Sequence, residues 1–379
     1  MPSKNKIMTV GILKEPIFEN RISLLPEQIE TLIKKNIEVI VEETAGENAF
    51  ALDDDYVKKG AKITDRNAVI SKADILLCIH PIPSNELKNN SILLGVYQPL
   101  INNNFVQDCC TKQICCFSLD MIPRTTRAQS MDVLSSQANI AGYKAVLQAA
   151  NLLPHYFPMF MTAAGSVAPA KVLILGAGIA GLQAIATAKR LGAVIEVFDT
   201  RLAVKEEVMS LGAKFIEVEG ALDASKAGGY AVEQTEEYKL KQQKKIAEAV
   251  VKANVIITTA QIPGKKAPIL ITAAMVNSMK NGSVIIDLAS ATGGNTPFTK
   301  NNETIKTDNG VSIVGNSNLQ STMPSDASKL YGKNVLNFIQ LIITKESKIN
   351  LNFEDDLVKG TCITNEGKIV NDRLLPLPS

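Results

Sequence analysis

The stretch 171–201 constrains the fold of this chain more than any other part of the sequence. An apolar run is followed at once by Gly176-x-Gly178-x-x-Gly181, then by a helical pattern and a second apolar run. The first glycine permits a tight turn, the second lets the backbone approach a bound phosphate group, and the third lets the helix pack closely on the strand. We therefore predict a strand, a glycine turn, a helix and a parallel strand, at 172–175, 176–181, 182–191 and 194–198.

An acidic residue ends the second predicted strand and bears on the choice of ligand. Asp199 stands where a carboxylate accepts hydrogen bonds from the adenosine ribose of a dinucleotide and repels a 2′-phosphate. Arg201 would suit a 2′-phosphate, but it lies beyond the strand end. A glycine-rich turn in another kind of α/β domain is the alternative, and the complete strand–turn–helix–strand context favours a Rossmann-type NAD(H) site. The predicted cofactor-binding residues here are Gly176, Gly178, Ile179, Ala180, Gly181, Asp199, Thr200 and Arg201.

The rest of the chain alternates predicted strands and helices, which is typical of parallel sheets covered by helices. With 379 residues the chain is long enough for about two domains. A long helix with a small-residue face begins near Met131, and a second long helix over 325–344 can return the chain to the first domain. We therefore predict two Rossmann-like, doubly wound α/β domains with parallel sheets and a cleft between them, joined by long helices. The predicted domains are 1–137 with 326–379, and 138–325.

A polar segment precedes the first long helix and allows two interpretations. Pro123 separates this segment from the preceding predicted strand. The segment is either a solvated loop with the first turn of a helix, or a set of hydrogen-bond donors and acceptors aimed at a ligand. The residue types alone do not decide between the two. The polar side chains are Arg124, Arg127, Gln129, Asp132, Ser135 and Ser136.

Two loops of the second domain are candidate ligand-binding segments. The polar stretch 219–237 is long, and loops of more than about 12–15 residues in a compact domain are usually functional or disordered. Its Gly229 supplies hinge freedom and its Tyr230 can close over a ligand, with a disordered insertion as the alternative. The second loop follows the predicted strand 255–258, at the sheet edge where α/β proteins bind ligands. Its predicted cofactor-binding residues are Thr259, Ala260 and Gln261.

Composition narrows the class of protein. Forty Lys and Arg against 38 Asp and Glu give a net charge of +2, which does not suggest nucleic-acid binding. The six cysteines do not form CxxC pairs and only two histidines are present, so we expect buried reduced thiols and no metal site. The N-terminus lacks a signal-peptide core, and no apolar run reaches the roughly 18 residues of a membrane span. We expect a soluble, intracellular chain, with the aromatic and methionine residues of 154–169 packed beneath the nucleotide-binding sheet.

Residues 127–146 carry a specific family resemblance. The block Arg-Ala-Gln-Ser-Met-Asp-Val-Leu-Ser-Ser-Gln-Ala-Asn-Ile-Ala-Gly-Tyr-Lys-Ala-Val, with the fingerprint domain, closely resembles the proton-translocating NAD(P) transhydrogenases. The match is to their soluble NAD(H)-binding component, domain I of the alpha subunit, and it covers nearly the whole chain. Supporting matches are Val10-Gly-Ile-Leu-Lys-Glu-Pro, Met161-Thr-Ala-Ala-Gly, Gly228-Gly-Tyr-Ala, Gly282-Ser-Val-Ile-Ile-Asp-Leu-Ala and Leu330-Tyr-Gly-Lys-Asn-Val-Leu-Asn-Phe.

The resemblance implies roles for individual residues. The family's mobile loop maps onto Gly229 and Tyr230, its ribose-binding acid onto Asp199, and Arg127 joins the predicted cofactor-binding set. The loop that contacts the nicotinamide, which we take as the catalytic set, maps onto Arg124, Gln129, Asp132 and Ser135.

The resemblance also implies partners and a location. NADH would pass a hydride to NADP+ on a partner component, and a separate membrane subunit would couple the transfer to proton movement. The chain stops at Ser379 without membrane helices, so it looks like the split form of the alpha subunit. The expected state is a homodimer in the cytoplasm, peripheral on the inner face of the cell membrane through its partner subunits.

Alanine dehydrogenases also resemble this chain across both domains, and they supply the nearest alternative. Their substrate chemistry needs a lysine and a histidine in the first domain. The corresponding positions here are His80, and Tyr97 or Gln98, while Arg21 remains and can be structural. The loss of both proton-handling groups disfavours amino-acid oxidation. A non-catalytic NAD-sensing module is a third hypothesis, which an activity measurement would separate from the first two.

Overall fold

The computed structural model describes residues 7–220 and 235–375, and the chain divides into two compact units. The first unit comprises 1–137 and 321–379, and the second comprises 138–320. The sequence-based boundary placed the second crossing at 325/326. No helix among the described residues is long and apolar enough to span a bilayer.

The described segments contain strands and helices in the alternation that the sequence predicted. The strands are β1 (Thr9–Ile12), β2 (Glu38–Glu42), β3 (Lys62–Thr64), β4 (Ile75–Leu77), β5 (Ile92–Gly95), β6 (Cys115–Ser118), β7 (Phe160–Thr162), β8 (Gly165–Val167), β9 (Lys171–Leu175), β10 (Val194–Phe198), β11 (Lys214–Phe215), β12 (Val255–Thr258), β13 (Val284–Asp287), β14 (Glu303–Lys306), β15 (Ser312–Gly315), β16 (Cys362–Asn365) and β17 (Lys368–Ile369). The α-helices are α1 (Pro26–Ile33), α2 (Asp53–Lys58), α3 (Arg66–Lys72), α4 (Asn103–Thr111), α5 (Val133–Leu152), α6 (Ile179–Arg190), α7 (Lys205–Ser210), α8 (Glu236–Val250), α9 (Ala273–Ser278), α10 (Pro324–Ile342) and α11 (Asp356–Thr361).

The first unit is built on an eight-stranded sheet with the order β17-β16-β6-β5-β4-β1-β2-β3. Strands β1 to β6 run parallel, while β16 is antiparallel to β6 and β17 is antiparallel to β16. The C-terminal segment therefore completes this sheet at one edge. The order reverses between β1 and β4, where a doubly wound sheet forms its crevice.

Helices cover both faces of this sheet, which explains why its strands are continuous apolar runs. On one face Ile75 and Leu77 join a buried cluster that includes Tyr331 of α10. On the other face Leu76, between them, joins a second cluster with Val69 of α3. Strands buried on both faces have no polar alternation to show in the sequence.

The second unit is built on a seven-stranded sheet with the order β11-β10-β9-β12-β13-β15-β14. All neighbours are parallel except β14, which is antiparallel to β15. The order turns at β9, which pairs with β10 on one side and β12 on the other, as in dinucleotide-binding folds. Both units are thus doubly wound α/β layers, which confirms the predicted fold class.

One core prediction was wrong. The stretch 154–169 contains the antiparallel hairpin β7–β8, in which Phe160 is 47% and Met161 72% exposed. Only its start enters the core, through Phe157, which is 4% exposed. The aromatic and methionine residues suggested burial, but they pair in a hairpin of their own whose side chains face solvent.

Candidate functional site

The glycine turn connects β9 to α6 at the carboxyl edge of the second unit's sheet. Gly176 has φ +104°, a left-handed conformation that favours glycine, and an added Cβ would lie 2.3 Å from the Thr259 hydroxyl oxygen. At Gly181 an added Cβ would lie 1.9 Å from the carbonyl oxygen of Gly176. The first and third glycines are therefore required by the turn and by the packing of the helix against it.

The middle glycine is different, because the space beside it is open. Gly178 is the N-cap of α6, with extended backbone angles, and a Cβ added there would have no described heavy atom within 4 Å. No side chain in the described part of the chain caps the helix at this position. The first-turn N–H groups of Ile179 and Ala180 thus belong to a helix start of the kind that binds phosphate groups. This cradle fits the pyrophosphate of a dinucleotide.

The carboxylate of Asp199 lies directly beside this turn. It is 7% exposed and accepts a hydrogen bond of 2.7 Å from the backbone N–H of Ala177. Arg201 donates to both carboxylate oxygens, at 2.9 and 2.7 Å, and its backbone N–H donates at 2.8 Å. A ribose that binds Asp199 would therefore compete with the Arg201 guanidinium. Thr200, between them, is half-buried.

The loop after β12 is held against the same turn. The backbone N–H of Thr259 donates to the carbonyl of Leu175 at 3.0 Å, and its hydroxyl donates to the carbonyl of Gly176 at 3.1 Å. The side-chain amide of Gln261 donates to the carbonyl of Leu288 at 2.8 Å. Thr259, Ala260 and Gln261 thus lie at the edge where the sequence placed them.

Asn295 is a residue of this edge that the sequence analysis missed. It is fully buried, and its amide donates to the carbonyls of Ala260 and Pro268 at 2.9 and 2.8 Å. Its side-chain oxygen accepts from the N–H of Ala260 at 3.2 Å. Asn295 follows a glycine pair just after β13, and that position at a strand's carboxyl end was the available signal.

In the first unit, the predicted nicotinamide-contacting residues lie on the segment before and at the start of α5. Gln129 is exposed on the 3-10 helix Thr126–Met131, and Arg124, also exposed, precedes it. Asp132 caps α5: its carboxylate accepts the Ser135 backbone N–H at 2.9 Å and the Ser135 hydroxyl at 2.5 Å. The cap is a structural role for Asp132 and Ser135, and it also holds both side chains in one orientation.

Arg127, predicted to bind the cofactor, has protein partners in the structure. Its guanidinium donates to the Asp355 carboxylate at 2.7 Å and also pairs with Asp356, at the start of α11. Exposed ion pairs of this kind contribute little stability. The cofactor role of Arg127 stays a prediction. Gly229 and Tyr230 lie outside the described residues.

The residues that bear on a dehydrogenase site are tied into a buried network of the first unit. His80 contacts the Glu19 carboxylate at 2.9 Å, and Arg21 pairs with the same carboxylate at 2.8 and 2.6 Å. Tyr97 is 1% exposed, and its hydroxyl contacts the Cys78 thiol at 3.2 Å. A cavity of about 240 Å³ adjoins His80. Arg21 and His80 thus serve Glu19, which supports their interpretation as structural residues.

Glu15 in this network gives a pH prediction. Burial raises the pKa of Glu15 to about 8, although the N–H groups of Ile79 and His80 donate to its carboxylate. The unfolded carboxyl titrates near 4.5, so the folded chain binds the extra proton between these values. This contribution to the free energy of unfolding is complete below about pH 4.5 and is lost as the pH rises to about 8. Glu15→Gln should flatten that decline, measured by urea unfolding from pH 5 to 8.5.

Glu43→Gln is the control for this measurement, because Glu43 is exposed in the same unit. Glu19 titrates outside the window: burial opposes its ionisation, but hydrogen bonds from Arg21 and His80 hold its pKa well below the ordinary value. The same slope in Glu15→Gln and in the unaltered chain would contradict the assignment to Glu15.

Comparisons with known proteins agree with the two-unit geometry. The family model for the alanine dehydrogenase/PNT N-terminal domain matches residues 11–141, and the model for the C-terminal domain of the same family matches 145–372. The first part of a split NAD(P) transhydrogenase subunit alpha, from Rickettsia prowazekii, is 43% identical over 96% of each chain. A solved transhydrogenase structure from Sinorhizobium meliloti is 40% identical, with a TM-score of 0.87, over 96% of this chain and 100% of the other.

The alanine dehydrogenases are more distant. One from Staphylococcus epidermidis is 26% identical over 89% of this chain and 88% of its own. The difference in identity confirms the resemblance that residues 127–146 carry. The chain therefore belongs to the alanine dehydrogenase/PNT family and, within it, to the NAD(P) transhydrogenase alpha subunits.

Proposed function

We propose that the protein is the NAD(H)-binding component of a proton-translocating transhydrogenase. It would present NADH for direct hydride transfer to NADP+ on a partner component, and a separate membrane subunit would couple this to proton movement. The observation that carries the proposal is the open cradle at Gly178 beside the Asp199 carboxylate, in a chain of this family. A pyrophosphate fits the first and the adenosine ribose fits the second.

The choice of NAD(H) over NADP(H) rests on Asp199. Its carboxylate is buried beside the fingerprint turn, where it would repel a 2′-phosphate. Arg201 offsets that charge in the free protein, at 2.7 Å from a carboxylate oxygen. Ribose hydroxyls that take over the contacts of Arg201 would leave the carboxylate fully hydrogen-bonded, whereas a phosphate would not.

The chemistry asks little of the protein beyond orientation. Bound NADH supplies the hydride, and no proton moves to or from a substrate oxygen or nitrogen, so no general acid or base is needed. The chain's own residues must hold the nicotinamide ring in an orientation from which transfer can occur, which is a matter of geometry within about 0.5 Å. Hydrogen-bonding side chains suit this task, and those in the predicted segment are Arg124, Gln129, Asp132 and Ser135.

The partner assignment follows from the same logic. This chain provides one nucleotide site in its fingerprint unit, so the NADP(H) and the proton path belong to other components. The names of its relatives, which describe one portion of a subunit, support partner subunits. We place the protein on the cytoplasmic side, peripheral on the inner face of the cell membrane through those subunits.

We infer that the protein is a homodimer, and the β7–β8 hairpin is the surface that favours it. Met159, Phe160 and Met161 are 63%, 47% and 72% exposed, and Tyr156 stacks on Phe160 with ring centroids 5.4 Å apart. Clustered apolar side chains on a surface mark association sites. Met161→Glu with Phe160→Glu should convert a dimer into a monomer at micromolar concentration, measured by light scattering. Met209→Glu, an exposed methionine on α7, is the control and should stay dimeric.

A monomer for the unaltered chain would contradict the homodimer, and a dimer that survives both glutamates would move the interface elsewhere. Both glutamates replace exposed side chains, so the fold should be retained and circular dichroism should be unchanged.

One assay separates the proposed function from the two alternatives. Hydride transfer from NADH to an NADP+ analogue is measured with and without an NADP(H)-binding component, and alanine is tested as a separate substrate. Transfer that requires the added component supports the proposal. NADH production from NAD+ and alanine by the chain alone would favour a dehydrogenase, against the engagement of Arg21 and His80 with Glu19. NADH binding with neither activity would favour a sensing module.

A further inference from the structure

Helix α10 reaches the predicted nicotinamide-contacting segment through two asparagine side chains. The amide of Asn334 donates to the carbonyl oxygen of Ser130 at 2.8 Å. The amide of Asn337 donates to the same oxygen at 2.9 Å. Both residues belong to the C-terminal portion of the first unit, far from Ser130 along the chain.

The shared carbonyl lies between the polar side chains that the proposed function uses. Ser130 follows Gln129 and precedes Asp132, at the end of the 3-10 helix Thr126–Met131. Carbonyls at a helix end have no partner within the helix, and one carbonyl oxygen has two lone pairs. The two amides can occupy both, which fixes the peptide between Gln129 and Asp132 from one side.

Asn334 also holds the segment beyond Asp132. Its side-chain oxygen accepts a hydrogen bond of 2.8 Å from the hydroxyl of Ser136, in the first turn of α5. The one side chain therefore bridges Ser130 before Asp132 and Ser136 after it. Because Asn334 is 7% exposed, its amide must be satisfied inside the protein, and these contacts satisfy it.

The backbone of the segment is anchored in the core as well. Ala128 and Met131 are 2% and 7% exposed and belong to the same buried cluster as Val335 and Phe338 of α10. The exposed side chain of Gln129 thus stands on a backbone held by apolar packing and by two amides. Such support is what keeps a site's geometry within tolerance before a ligand arrives.

We propose that Asn334 and Asn337 are positioning residues for hydride transfer. They hold the segment 129–136 in the conformation that orients the nicotinamide, without contact to the cofactor. This rests on the proposed function, because it assigns the segment its role. An asparagine pair that only stabilises the fold would instead affect stability and transfer together.

The test uses the full chain with the NADP(H)-binding component. Asn337→Ala removes one donor from a half-buried position and should preserve the fold. It should lower the single-turnover transfer rate by about tenfold while the Kd for NADH changes by less than about twofold, since misplacement of a reacting group slows transfer steeply. Amide hydrogen exchange at 131–136 should accelerate. Asn337→Asp, which lacks the donor, should behave like Asn337→Ala, and Asn337→Gln should restore part of the rate.

Gln28→Ala is the matched control, because the Gln28 amide donates to α10 at the Lys329 carbonyl, 2.8 Å away, and not to the segment. An equal loss of rate in Gln28→Ala would overturn the positioning role in favour of general stability. Unchanged exchange and rate in Asn337→Ala combined with Asn334→Asp would overturn it as well. If the unaltered chain transfers no hydride, the proposed function fails; that result is distinct, because the exchange measurement still tells whether the amides hold the segment.

Discussion

Asp132→Asn should slow hydride transfer from NADH by about 100-fold, because a small misplacement of a reacting group is enough for such a loss. The Kd for NADH should change by less than about threefold, since the fingerprint turn and Asp199 contribute the contacts with the rest of the dinucleotide. Asparagine keeps the side-chain oxygen that accepts the Ser135 N–H, now at 2.9 Å, but it removes the charge and one of the two acceptors. The measurement is single-turnover transfer with the partner component, beside NADH titration by fluorescence.

The cap makes this substitution informative. Asn and Asp are about equal as N-caps, so the stability of α5 should not account for a lost rate. Asp65→Asn is the control: Asp65 caps α3 by accepting the Ala68 N–H at 2.9 Å and has no part in the proposed site. Equal losses of rate and of NADH affinity in Asp132→Asn would mean that Asp132 contributes to binding and not to orientation.

Local chemistry explains which parts of this molecule were predictable. The glycine spacing and the apolar strands are constraints of backbone conformation and burial, so the turn at 176–181 and the strands β2, β10 and β12 appear where the sequence placed them. The edge strands β3 and β14 were missed, because they are short and their side chains are mostly exposed or half-buried. Burial is the signal on which strand prediction depends, and these strands carry little of it.

The contacts that support the site could not be predicted in the same way. Asn334 meets Ser130, and Asn295 meets Ala260, only after the chain has folded. An asparagine on a helix or in a loop has many local uses, and nothing in its neighbours along the sequence names its distant partner. The hairpin shows the converse, since its apolar side chains predicted burial and the fold of a single chain leaves them exposed.

The same contrast gives the site its division of labour. The fingerprint turn in the second unit is specified by a few consecutive residues and holds the invariant part of a dinucleotide. The segment 124–135 in the first unit is held by α10 and by its own cap, and it carries the side chains for orientation. Binding and orientation therefore depend on different residues, so substitutions should separate affinity from rate.

Gly178→Ala should show the largest effect on affinity with the smallest effect on the fold. The backbone angles at Gly178, φ −76° and ψ −172°, are open to alanine, and the added Cβ would meet no described atom within 4 Å. The free energy of unfolding of the free protein should be unchanged or higher by about 0.4–1 kcal/mol, because alanine restricts the unfolded chain. A Cβ in the space of the pyrophosphate should cost about 1–3 kcal/mol of binding, a rise in the Kd for NADH of roughly 5- to 150-fold.

Gly181→Ala is the matched comparison, since its Cβ would lie 1.9 Å from the Gly176 carbonyl oxygen. That variant should lose about 1–3 kcal/mol of stability before any ligand is added. Isothermal titration with NADH and urea unfolding of both variants make the test. If Gly178→Ala binds NADH as tightly as the unaltered chain, the pyrophosphate does not lie against this helix start, and the proposed cofactor site is wrong. If it binds weakly while its unfolding is unaltered, the open space beside Gly178 is reserved for the ligand and not for the fold.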